Sequence, residues 1–229
     1  MQKPKIARPL SSAEDGKSTW QAQKADVTRV RILDSTLSLL AELPYSDVTT
    51  QLVSEHAGVS RGGMQYHFPT RLALLEAAVD HLYVRRLDAY RDDLANAPPG
   101  VVITDHIIDT YWQHLREPVF SAYQELVLAS RSNPELKQAL HRHFDEFLLG
   151  WYKLSRETYG WEYTTPEVMR LGTVARYLME GMAFGQVSGQ LTEAETELLL
   201  GYTKSLMREG MAQGRAKAAA KVQAVATND

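Results

Sequence analysis

Residues 49–68 read TTQLVSEHAGVSRGGMQYHF, two short helical stretches that meet at a single glycine. The first runs from about Thr49 to Ala57, the second from Ser60 to about Phe68. Gly58 stands at the bend, where two crossing helices need a positive φ that glycine adopts without a Cβ penalty. Ser54, four residues earlier, is small enough to let the helices cross closely, and Val53, Ala57, Val59 and Met64 form a small core between them. Ser60 is placed to cap the second helix. The turn that follows, Arg61-Gly62-Gly63, is nearly bare of bulk, so backbone can approach DNA, and a helix start favours phosphate.

Upstream, Val30, Leu33, Leu37 and Leu40 recur at three- and four-residue spacing, a helical stripe that begins near Val27 and stops at Pro44. Downstream, Thr70 opens a longer helix to about Ala95, before the punctuation Pro98-Pro99-Gly100. Residues 1–24 are polar, interrupted by Pro4, Pro9 and Gly16 and without period, and read as a flexible basic arm.

The series from Arg29 and Arg31 through Thr49-Thr50, Ala57-Gly58-Val59-Ser60 and Tyr66-His67-Phe68 to Thr70-Arg71 resembles the DNA-binding domain of the TetR (tetracycline-repressor-like) family. The resemblance covers residues 28–78. It implies a helix-turn-helix domain over 25–75, followed by a helical effector-binding and dimerisation domain over 76–212. It also implies that Thr49, Thr50, Tyr66, His67 and Arg71 bind phosphate and fix register. Ser60, Arg61, Gly62, Gly63 and Gln65 then lie at or near base edges, and Arg29 with the arm lysines adds salt-dependent affinity. Two positions depart from the family pattern: Gln65 replaces the usual tyrosine and Arg71 the usual lysine. Glutamine can read adenine bidentately, and Arg71 still brings a cation to phosphate.

In the second half, Asn133-Pro134-Glu135 and Thr165-Pro166-Glu167 each give a capping side chain, a proline and an acid in the first turn. Thr192-x-x-Glu195 is a capping box. These signals predict helices near 101–115, 118–131, 134–158, 166–190 and 192–212, with residues 213–229 an Ala-rich tail, either frayed helix or disordered. No alternating period-two stretch appears, so the fold class is all-α with about nine helices.

Gly181, Gly185 and Gly189 recur every four residues and suggest the close approach of another helix. Leu198, Leu199, Tyr202, Leu206 and Met211 form a stripe on the last helix. The resemblance implies that these two helices pair with their twins in a homodimer, which matches a palindromic operator on double-stranded DNA. Aromatic residues crowd the region between: Tyr111, Trp112, Phe120, Tyr123, Phe144, Phe147, Trp151, Tyr152, Tyr177 and Phe184. Most serve as core. Tyr111, Trp112, Tyr123, Trp151, Tyr177 and Phe184 are candidates for the effector pocket, with His114, Glu125, Arg131 and Glu180 its candidate polar groups. An apolar or amphipathic effector suits such a lining.

Composition agrees. Residues 1–75 hold nine Lys/Arg against seven Asp/Glu, whereas the remainder holds sixteen against twenty-one, giving the net charge of -3. A mildly basic head on an acidic body suits a polyanion-binding end. The chain has no cysteine, so it has no disulfide or thiolate metal site, and a reducing, cytoplasmic address fits. No apolar run reaches membrane-spanning length. His141-x-His143 with Asp145 and Glu146 is the one metal-like cluster, but residues two apart on a helix point about 200° apart, so no metal, cofactor or catalytic residue is assigned. An all-helical enzyme and a helical protein-interaction module without DNA binding remain as alternatives to a ligand-responsive repressor.

Overall fold

The computed structural model describes residues 12–159 and 166–226. Among the described residues the regular elements are helices alone: α1 (Ser12–Glu42), α2 (Thr50–His56), α3 (Arg61–His67), α4 (Arg71–Ala95), α5 (Ile103–Leu115), α6 (Pro118–Ser130), α7 (Pro134–Tyr159), α8 (Pro166–Val187) and α9 (Glu193–Ala226). The all-α class expected from the periodicity is what forms.

Local chemistry sets most boundaries. Thr49, Ser60 and Thr70 each accept a backbone N–H three residues on, from Leu52 at 3.2 Å, Gly63 at 3.1 Å and Ala73 at 3.0 Å. Each satisfies a donor that a helix start leaves without an internal partner. Asn133 Oδ1 does the same for Leu136 at 3.0 Å. At Thr192 the box closes both ways: its N–H donates to Glu195 Oε2 at 2.9 Å, and the Glu195 N–H donates to its hydroxyl at 3.3 Å. Pro69 pushes Phe68 into extended backbone, φ -138 and ψ 94, which ends α3.

Three ends differ from the sequence expectation. Residues 12–24, expected as flexible arm, belong to α1. A glycine in a helix interior, as at position 16, costs only about 1 kcal/mol. Residues 1–11 of that arm lie outside the described residues, as do Thr165 and residues 227–229. α8 stops at Val187 because Gly189 turns left-handed at φ +70. The Gln190 N–H then donates to the Gly185 carbonyl at 2.8 Å and the Gly189 N–H to the Gln186 carbonyl at 3.0 Å, closing the end as a Schellman turn. α9 continues through the Ala-rich segment to Ala226, where alanine is the best helix former.

The core is shared. One cluster of buried apolar side chains runs from Leu37, Val53 and Met64 in the head through Leu74, Val79 and Tyr83 on α4 to Leu126, Leu136 and Phe147 in the body. α1 lies along α6, and α4 along α7. A second cluster, centred on Trp112, Met179 and Met207, joins α5, α8 and α9. Of the stripe expected on α1, Leu33, Leu37 and Leu40 are buried, while Val30 is exposed.

Candidate functional site

α2 and α3 meet at Gly58, whose φ is +61. The Val59 N–H donates to the Ser54 carbonyl at 2.9 Å and fixes the bend. Val53, Ala57 and Met64 are buried beneath it. Because Ser60 caps α3 and Met64 anchors it, the opposite face is held outward: Arg61, Gly62, Gln65 and Tyr66 are exposed, Tyr66 to 79%. A Cβ at Gly62 would meet nothing, but one at Gly63 would stand 3.3 Å from the capping Ser60 Oγ. Gly63 therefore serves the cap as well as the bare turn. Thr50 opens α2, half-buried, next to the capping Thr49. His67 is half-buried, its ring edge-on to Tyr66 at 5.1 Å.

Two cations of the head have partners inside the fold. Arg71 Nε donates to the Val48 carbonyl at 3.1 Å, its Nη2 donates to the Tyr45 carbonyl, and its guanidinium stacks 4.1 Å above the Tyr45 ring. The side chain is thus bound into the α1–α2 loop. Arg29 lies over the Phe68 ring at 4.8 Å and so braces the end of α3. An arginine is worth more inside the fold where carbonyls and a ring face converge on it, and sequence spacing does not reveal that convergence.

In the body, a cavity of about 120 Å³ opens between α4, α5, α7, α8 and α9. Of the expected pocket residues it takes Tyr111 and Trp151. Glu180 stands just behind the wall, accepting from the Tyr111 hydroxyl at 2.8 Å and from Arg176 Nη1 at 3.2 Å. Burial holds the Tyr111 pKa well above its ordinary value, with Glu180 adding to the effect, so the phenol is a donor. The others lie apart. Trp112 packs in the second core cluster, and Tyr123 stacks between Tyr83 and Phe120. His114 Nε2 is 2.8 Å from Asp93 Oδ2, a charge-pair distance without hydrogen-bond alignment, beside a separate, smaller cavity. Glu125 accepts the Tyr45 N–H at 2.6 Å, and Arg131 is exposed at the end of α6. Tyr177 and Phe184 face outward from α8, 61% and 57% exposed.

Sequence reasoning missed Arg86, Tyr90 and Arg176, which line the cavity. For Arg86 a signal existed: it falls on the apolar stripe of α4 defined by Leu75, Val79, Leu82, Tyr83 and Tyr90, where a cation is out of pattern.

The outward residues of α8 and α9 form one apolar face: Val174, Tyr177, Leu178 and Phe184 on the first, Leu198 and Tyr202 on the second, all exposed. Gly181 lies within it, with open space where a Cβ would be. The other two glycines of the expected row have intrachain causes. A Cβ at Gly185 would stand 3.2 Å from Leu191 Cβ, and Gly189 makes the left-handed turn. Leu206 is half-buried.

His141 and His143 diverge as helical spacing requires. His141 Nδ1 is 3.1 Å from Asp145, whereas His143 Nδ1 is 3.4 Å from Asp80 and 3.2 Å from Glu146. Asp80, His143 and Glu146 offer one ligand atom each within 4.8 Å of one another, and they link α4 to α7. Among the described residues no helix is long and apolar enough to cross a membrane.

Known proteins share these features. The family described as "Bacterial regulatory proteins, tetR family" matches residues 32–78, the span from α1 to early α4. The HTH-type transcriptional regulator CymR of Pseudomonas putida is 30% identical over 126 residues, 55% of this chain and 62% of that one. The match thus spans less than two thirds of that relative. A TetR-family member from Streptomyces coelicolor has the same fold, with a TM-score of 0.56 at 19% identity over 80% of this chain and 97% of that one. So has the multidrug binding protein EbrR in complex with imidazole, with a TM-score of 0.53 at 18% identity over 80% and 93%. With its capped α3 on an all-helical body, the chain is thus similar to the TetR family over residues 32–78 and shares the fold of TetR-family members.

Proposed function

We propose that this protein is a ligand-responsive DNA-binding regulator, a repressor that leaves a palindromic operator when a small apolar or amphipathic effector binds. The observation that carries the reading is α3: capped by Ser60, anchored through Met64 and bare on the face bearing Arg61, Gly62, Gln65 and Tyr66. A core that holds a polar, glycine-rich helix face in solvent supports contact with DNA. Arg61 and Gln65 then meet base edges, and Thr49, Thr50, Tyr66 and His67 meet phosphates.

The apolar face of α8 and α9 supports a homodimer, since contiguous bare apolar surface marks an interaction site. Two-fold pairing sets two reading helices about 34 Å apart, or a multiple, along one face of the duplex. EbrR, of the same fold, is a multidrug binding protein, and here the cavity is the place for an effector. α4 provides the linkage. Three residues separate its start from the end of α3, and it carries Arg86 and Tyr90 into the cavity wall. An effector that prefers one position of α4 shifts the spacing of the reading helices by its differential affinity and by nothing else.

The test is selection of duplexes from a random pool by the full chain, then titration of the best one by fluorescence anisotropy. Expected are a palindromic consensus, nanomolar affinity and a steep fall with salt. Salt-independent binding with no enriched sequence would overturn the reading.

A further inference from the structure

The cavity wall holds a charge that no ion pair among the described residues neutralises. Arg86 is 7% exposed in the middle of α4, and the ion pairs of the described residues leave it out. Rings surround it instead, with its guanidinium carbon 5.0 Å from the Phe147 centroid, 5.3 Å from Tyr123 and 5.8 Å from Tyr83. Ring faces offset part of the desolvation of a buried cation, but not the whole of it. Burial alone favours loss of the proton, yet the surrounding tyrosines, Tyr90 and Tyr111 foremost, hold the Arg86 pKa above its ordinary value. The side chain is charged.

The acid at the cavity wall is already committed, because Glu180 accepts from both Arg176 and Tyr111. The Arg176–Glu180 pair contributes no net charge, so the cavity carries one excess positive charge.

A second buried group is unmatched at the same place. The Tyr90 hydroxyl is buried without a hydrogen-bond partner. Burial pushes its pKa up to about 12 while Arg86 opposes the rise. It therefore keeps its proton and stands beside the guanidinium. Buried donors of this kind are uncommon in a folded chain and call for a reason. Here one of them and an unpaired cation flank a space whose other walls include Phe144, Phe147 and Trp151. At about 120 Å³ the space compares with the roughly 150 Å³ engineered cavity that accepts benzene.

We propose that the cavity binds a small organic carboxylate with an apolar body about one ring in size, its oxygens accepting from the Arg86 guanidinium and the Tyr90 hydroxyl. The guanidinium fork matches a carboxylate in geometry as well as charge. A neutral effector leaves the cation unmatched, and a dianion exceeds it. This inference rests on the regulator reading and narrows its effector to a monoanion.

The test uses the full chain and four probes: sodium benzoate, sodium hexanoate and their neutral amides, followed by calorimetry and thermal melting. In the wild type an acid binds at least about tenfold more tightly than its amide, as expected for losing charge-assisted hydrogen bonds in a buried site. Arg86→Met abolishes that preference and leaves the ligand-free melting temperature unchanged or raises it, because it removes an unmatched buried charge. Tyr90→Phe weakens the acid about fivefold and keeps the fold. Amides binding as tightly as acids, no acid binding, or an acid preference that survives Arg86→Met would each overturn the proposal. Operator titration of the same wild-type samples separates the two readings. Tight operator binding without acid preference sinks only the carboxylate, whereas absent operator binding sinks the regulator.

Discussion

Two helix surfaces of this molecule are left bare by the rest of the chain, and they differ in what they expose. On α3 the bare residues are an arginine, glycines, a glutamine and a tyrosine, above a single buried Met64. On α8 and α9 they are Val174, Tyr177, Phe184, Leu198 and Tyr202. Solvent tolerates the first surface and not the second. Bare apolar area is favourable only when covered, at roughly 25 cal/mol per Å² removed from water. The polar surface gains little from burial and acquires affinity when a polyanion releases counterions. On the proposed reading one surface stays covered, and the other binds and lets go.

Charging the apolar stripe should have the largest effect. Leu198→Asp with Tyr202→Asp places four carboxylates in the proposed two-fold interface, and each unpaired buried charge costs about 3–5 kcal/mol. Sedimentation should show a monomer, and operator affinity should fall with it. A doubly substituted chain that stays dimeric would move the interface elsewhere.

Arg61→Glu addresses the other surface. Operator binding should weaken by about 1–3 kcal/mol if the arginine reads a base, with discrimination lost at one base pair in each half-site. A uniform loss with a salt slope lowered by about one would make it a phosphate contact instead. The melting temperature should not move, since Arg61 is exposed.

Gly58→Ala and Ser60→Ala act on the scaffold beneath α3. The alanine at 58 must adopt φ near +61, costing about 1–2 kcal/mol, and loss of the Ser60 cap costs about 1 kcal/mol. Both should lower the melting temperature by a few degrees. Equal stability in Gly58→Ala would mean that the bend relaxes.

The smallest effect belongs to the start of α9. Glu195 has its pKa lowered, first by the Thr192 hydroxyl and then by its backbone N–H. A carboxylate held below its ordinary range contributes stability that is present above that range and lost as pH falls through its folded value. In Glu195→Gln this acid-side loss should be missing from the pH dependence of melting, with little change at neutral pH.

The head was legible because its determinants are local. Ser60, Thr70 and Asn133 cap helices from adjacent positions, and Gly58 bends where it stands. Arg71 and Glu125 were not, since their partners lie 23 to 80 residues away and no short-range pattern reports Tyr45 and Val48. The glycine row misled because a period of four fits a helix interface equally well as it fits Gly185 clearing Leu191 and Gly189 ending the helix. Arg86 was visible as an out-of-pattern cation. Its lack of a counterion became apparent only once Glu180 was seen spoken for by Arg176 and Tyr111.

The seam between α1 and α6 makes the reading head a poor candidate for transplantation. Tyr45 is held by Glu125 and Asn133, and Leu37 and Val53 belong to the same buried cluster as Leu126 and Leu136. A chimera cut after α3 would tear that cluster open and graft a head with its underside exposed. A workable hybrid regulator has to carry the matching strip of α6 and the opening of α7 along with the operator specificity it borrows.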